Sequence, residues 1–422
     1  MTENEDKYNL YTEKIKIRPW TKYKKLINLA KIAVLAAFAG VMAAMAFIVV
    51  VRLADQKEDA PEEVRHEVTF PMEEYPGVIP SGVLQNQEEI VDKNNTETVS
   101  AAEETNKEKV ETVYDVVADI VSELSPCMTT VTAIHKNEDP LFSAVQNKID
   151  FPGIIIADNE VEYLILTDYA IKDVDAIEVT FMDGEKAKAS LVMADKLLSV
   201  AVIAVEHSDI SSETSAGIKI VQMGNSYMLK QGELVIAMGN IHGIKSAVDF
   251  GLAVSTREVA YEADSRHGLI YTNMNGAKEC GGFLFNEEGL LIGNISSSYS
   301  SGNIVAYGIS DIKIRIQNMT NRKGIGYLGV IGQDVTEELA EEYGMPEGVY
   351  VSSMEAYSPV YYSGILNGDI ITEIGGRTIA NVYNLERAMC EFEPGTELTV
   401  IVNRRGKDGY VPIEFVITLD EK

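Results

Sequence analysis

The sequence is poor in cysteine, histidine, tryptophan and positive charge. Three cysteines among 422 residues are an odd number, so a small fold stapled by disulfides is excluded. Five scattered histidines, with no HExxH and no CxxC, offer no transition-metal site, and no cofactor is expected. Lys and Arg total 36 against 65 Asp and Glu, a formal net charge of -29. Nucleic acid is therefore not an expected partner, because binding there rests on neutralising phosphates with cations. Only 12 prolines and an apolar share of 46 % exclude wholesale disorder and fibrous repeats. The length allows two or three folded units.

What is present begins with Ile32–Val51, 20 residues without a charge between Lys31 and Arg52. At about 1.5 Å per residue such a run crosses the roughly 30 Å hydrocarbon layer as one helix. A buried core helix of this length would carry a polar face, and a cleaved signal peptide would have a shorter leader. Eight basic residues precede the run (Lys7, Lys14, Lys16, Arg18, Lys22, Lys24, Lys25, Lys31) against four acidic ones. Basic flanks stay inside, so the expectation is a single-pass cell-membrane protein, residues 1–31 cytoplasmic and the C-terminal domains outside.

Residues 52–109 are acidic, with Pro61, Pro71, Pro76 and Pro80 and few aromatics, and read as a flexible linker. Val113, Val116, Val117, Ile120, Val121 and Leu124 fall at helical spacing, stopped by Ser125-Pro126. Short strands follow: Tyr163–Thr167, Ile177–Phe181 up to an Asp183-Gly184 turn, Val200–Val205, Leu234–Met238, Leu252–Ser255, Gly282–Phe285 and Leu290–Ile295. About 200 residues of strand with almost no helix indicate a barrel or sandwich. The last hundred residues mix strands with a helix whose Leu385, Ala388, Met389 and Phe392 share one face.

Gly232–Asn240, Cys280–Leu284 with its hairpin, the Gly326–Val330 loop and Ser363–Ile371 together resemble the HtrA/Deg family, trypsin-fold serine proteases with a C-terminal PDZ domain. Membrane-tethered Gram-positive members look most similar. The resemblance implies a mainly β fold: a trypsin-like double β-barrel over 110–320, then an α/β PDZ domain over 322–421. It also implies a triad. The family's histidine position holds Ala170, its aspartate position Ser199 and its nucleophile position Cys280, so every member is replaced. A nucleophile of this type needs a base beside it and a carboxylate to orient that base. The oxyanion hole would use backbone N–H groups of Cys280 and Lys278, the latter standing where the family has glycine. Tyr169, His207, His242 and His267 are the stand-in bases to be tested against a dead site. Cys127 and Cys390 read as small buried hydrophobes.

The peptide-binding loop looks intact. In PDZ domains a peptide C-terminus adds as a strand, and loop N–H groups hold its carboxylate. Tyr327, Leu328, Gly329 and Val330 would form that loop, with Leu385 and Met389 lining the side-chain pocket. The alternative is that these residues only pack the PDZ core and the groove is closed. The expected function is an inactive HtrA-like homologue binding peptide C-termini or unfolded proteins in envelope quality control, or regulating an active paralogue. The rival is a peptidase using Cys280 with a base from elsewhere. A homotrimer is what the resemblance implies.

Overall fold

A computed structural model describes residues 65–76, 112–136, 146–172, 174–277, 280–300 and 302–421. The span Ile32–Val51, the basic tail and most of the linker lie outside them. No helix among the described residues is long and apolar enough to cross a membrane.

Helix α1 (Val113–Leu124) opens with a capping box, Thr112 and Asp115 each satisfying the other's backbone amide. It buries Val117, Ile120 and Leu124, as the helical spacing predicts. Six strands then close an antiparallel barrel: β1 (Met128–Lys136), β2 (Gln146–Asp158), β3 (Glu162–Thr167), β4 (Ala176–Thr180), β5 (Lys186–Asp195) and β6 (Val200–Glu206), in the order β1-β2-β3-β6-β5-β4. All six residues of β3 are buried, the reason its sequence reads as a continuous apolar run. A short helix, α2 (Ser212–Gly217), leads to the second barrel.

That barrel contains β7 (Leu234–Ile241), β8 (Ile244–Glu262), β9 (Ser265–Asn275), β10 (Gly281–Asn286), β11 (Leu291–Ile295) and β12 (Asn303–Gly308), ordered β10-β11-β12-β9-β8-β7. β8 extends far beyond the predicted Leu252–Ser255, and most of its residues are not buried. Helix α3 (Ile309–Thr320) was absent from the sequence expectation. Its buried face holds Ile309, Ile312, Ile316 and Met319, but Lys313 and Arg315 are buried among them and break the stripe.

The C-terminal unit contains β13 (Gly326–Tyr327), β14 (Val330–Asp334), α4 (Glu337–Tyr343), β15 (Val349–Met354), α5 (Pro359–Ser363), β16 (Ile370–Ile374), β17 (Arg377–Thr378), α6 (Val382–Glu391), β18 (Glu397–Arg405), β19 (Tyr410–Thr418) and β20 (Asp420–Glu421). Its main sheet runs β14-β15-β16-β18-β19. Leu328, Val330, Leu385 and Met389 belong to its buried core.

One expectation is corrected outright. Part of the predicted flexible linker, residues 65–76, is a strap laid on α3. Phe70 is buried in the barrel core. Its N–H donates to Gln317 Oε1 at 2.7 Å, and Asn321 bonds both the N–H and the C=O of Val68 at 2.9 and 2.7 Å. Lys313, with no exposed surface, donates to Pro71 O, Gly224 O and the Glu73 carboxylate. Composition reported the stretch as polar; the buried lysine that fixes it lies 240 residues away.

Candidate functional site

Strand pairing brings two of the three expected triad positions to one end of the first barrel. Thr167 of β3 pairs with Ala201 of β6, so Asp168–Ala170 and Ser199 leave the same end of the first barrel. Ser199 itself adopts φ +54 in the turn between β5 and β6. The Asp168 carboxyl reaches across to the second barrel, where it accepts the N–H of Gly282. A Cβ on Gly281 would lie 1.5 Å from Asp168 Oδ2, so only glycine admits the carboxyl there. Cys280 is the residue before.

Cys280 does not present itself to a substrate. It is 1 % exposed and lies in the buried cluster that fills the second barrel, with Ile241, Met274 and Ile295. Burial raises its thiol pKa, the Ser300 hydroxyl pulls it down and the charge of Asp168 pushes it up again. The other oxyanion position, Lys278, lies outside the described residues. Cys127 and Cys390 are free and buried like Cys280, with burial raising their thiols to about 11 and 12.

Three of the proposed stand-in bases are engaged elsewhere, and the fourth is buried in the core. Tyr169 stacks on Phe151 with ring centroids 4.2 Å apart. His207 pairs with Asp158 at 3.1 Å, and His242 with Asp249 at 2.9 Å. His267 is fully buried and edge-on to Tyr307, and burial drives its pKa down to about 3, so it is neutral. The titratable group beside Cys280 is Asp168, which sequence reasoning missed because an Asp after a strand reads as a turn residue. Burial lifts its pKa to about 7, and its Oδ1 is buried without a hydrogen-bond partner. An ionised carboxylate here opposes thiolate formation. Asp168→Asn is therefore expected to lower the thiol pKa and to speed alkylation of Cys280 at pH 8.5. Peptide-resolved mass spectrometry of iodoacetamide labelling measures this, and an unchanged rate would contradict the coupling.

At the other expected site, Leu328, Gly329 and Val330 direct their N–H groups to one point, the geometry of a carboxylate cradle. Gly329 takes φ +89, and a Cβ there would meet Ser358 Cβ at 2.2 Å. The sequence led us to expect these amides open to a peptide. They are filled instead by the Asp264 carboxylate, from the hairpin tip between β8 and β9.

Two known domain families match the chain: a trypsin-like peptidase domain over residues 152–293 and a PDZ domain over 326–414. Among solved structures, the HtrA-type protease AlgW with a tripeptide superposes with a TM-score of 0.51 at 22 % identity, covering 72 % of this chain and 97 % of that one. AlgW with a decapeptide gives 0.50 at 23 %, covering 72 % and 98 %. The fold is that of the HtrA-type proteases. Curated relatives include the probable periplasmic serine endoproteases DegP-like of Halomonas elongata and Hahella chejuensis. The first is 28 % identical over 271 residues, covering 62 % of this chain and 55 % of that protein. The second is 28 % identical over 262 residues, covering 60 % and 54 %. The chain spans about half the length of these relatives.

Proposed function

We propose that this HtrA-type homologue binds polypeptide without cutting it: an inactive double barrel carrying a PDZ domain that takes peptide C-termini. The carrying observation is the chemistry around Cys280. The thiol is buried with a raised pKa, and the group next to it is a carboxyl rather than an imidazole. Ala170, at the expected base position, has no ionisable group, and Ser199 cannot serve as the orienting carboxylate. The peptides named with the AlgW structures support a peptide as the PDZ ligand. Ile32–Val51 supports a membrane tether with the folded units outside, where the periplasmic relatives work. Envelope quality control, or regulation of an active paralogue, is the role consistent with such a molecule; a homotrimer is part of the same expectation.

One observation favours the rival peptidase: Asp168, with a pKa of about 7, is a carboxyl close enough to Cys280 to affect its charge. Proton transfer from a raised thiol to that carboxylate runs uphill, which is why we prefer the binding role. Incubating the full-length protein with p-nitrophenyl acetate and mapping acetyl groups by mass spectrometry tests the choice. The peptide bearing Cys280 is expected to stay unmodified. An acyl group that forms there and is then hydrolysed would contradict the binding-only reading.

A further inference from the structure

We infer that the PDZ groove is occupied in cis: the tip of the β8–β9 hairpin is a built-in ligand, with the Asp264 side chain standing in for a peptide's terminal carboxylate. The inference rests on the PDZ reading above and adds its regulation.

A peptide bound by strand addition makes two kinds of contact at its last residue. Its carboxylate accepts the loop amides, and its own N–H donates to the carbonyl where the loop enters the strand. Asp264 makes both. Its Oδ2 accepts the N–H groups of Leu328 and Gly329, each at 2.7 Å, and its Oδ1 accepts that of Val330 at 2.8 Å. Its backbone N–H donates to Val330 O at 2.7 Å. The residue before it continues the pattern, since Ala263 forms an antiparallel bridge with Ile331 of β14. The tip thus lies along β14 in the direction a ligand strand would take.

Three convergent amides around one carboxylate form a charge-assisted cluster, stronger than neutral hydrogen bonds. Asp264 sits at φ +60, a left-handed turn conformation that Asp tolerates better than most side chains. Ala263, Asp264 and Ser265 are all buried, so a free C-terminus cannot reach the cradle while the tip is seated. The cradle has one set of amides, and the two carboxylates compete for it. A groove that is open only a fraction of the time weakens its ligand's apparent affinity by that fraction.

The test uses the full-length protein and a labelled pool of heptapeptides ending in Val, Ile, Leu or Phe with a free carboxylate, beside the same pool amidated. Asp264→Asn removes the charge and suits the turn; Asp264→Gly removes the side chain and also accepts positive φ. Both variants are expected to bind the free-carboxylate pool at least about tenfold tighter than wild type, and the amidated pool no better. Hydrogen exchange without peptide should show Leu328, Gly329 and Val330 amides losing protection in both variants. Carboxylate-dependent binding of equal strength in all three proteins, or unchanged protection, overturns the cis ligand while leaving the PDZ function standing. Absence of carboxylate-dependent binding in all three overturns the PDZ function, and the cis ligand with it.

Discussion

Arg315→Met is expected to lower the stability of the fold by about 3–5 kcal/mol, the cost of stranding the buried Asp195 charge by removing its partner. Arg315, on α3, is held on both sides. Its Nη1 donates to Asp195 at 2.8 Å and its Nε to Glu386 at 2.7 Å. Asp195 belongs to the first barrel and Glu386 to the PDZ helix α6, so one guanidinium fastens the PDZ unit to the protease-like unit. Methionine fills the stem's volume and restores none of the charge. A shift in urea midpoint reads the loss, and a change below about 1 kcal/mol would show that the cluster does not hold the units together.

The same cluster sets a pH dependence. Burial lifts the Glu386 carboxyl to about 8 despite the guanidinium, whereas Asp195 is held low by Arg315 and the N–H groups of Leu197 and Leu198. Folded Glu386 keeps a proton that the unfolded chain releases near 4.5. Its contribution is complete below 4.5 and is lost as pH rises through about 8. Neutral His267 acts in the opposite sense: its contribution is complete above 6.5 and lost as pH falls toward about 3. Glu386→Gln should flatten the decline between pH 4.5 and 8 while retaining an acceptor for Arg315 Nε.

The second large effect is catalytic. Loss of a complete nucleophile–base–acid set lowers turnover by about 10⁶, near 8 kcal/mol of barrier, leaving about 10³–10⁴ over water. This chain is expected at or below that remnant. An active serine-type site also needs its nucleophile exposed, and Cys280 is sealed into the barrel core. Binding along the barrel cleft and in the PDZ groove needs neither a base nor an exposed nucleophile.

Much of the architecture was legible because burial leaves a periodic trace. The run Tyr163–Thr167 and the run Val200–Val205 are strands buried on both faces, and Asp183-Gly184 makes the turn that follows Ile177–Phe181. The trace fails where charge is buried. Lys313 and Arg315 hid α3, and the strap 65–76 looked like solvent-exposed chain because its anchors come from that same helix. Long-range contacts left no local mark at all. Asp264 reads as a hairpin turn, and nothing near it in sequence says that its carboxylate fills a cradle 64 residues on. Asp168 is similar: only the fold shows that the glycine pair after Cys280 leaves room for a carboxyl.

Hydrolysis of fluorescent casein by the full-length protein, compared directly with Cys280→Ala, bears most directly on whether this site can cut. The two proteins are expected to give the same background signal at every pH from 6 to 9. Cleavage by the wild type that disappears in Cys280→Ala would show a working nucleophile where we place a sealed, baseless thiol.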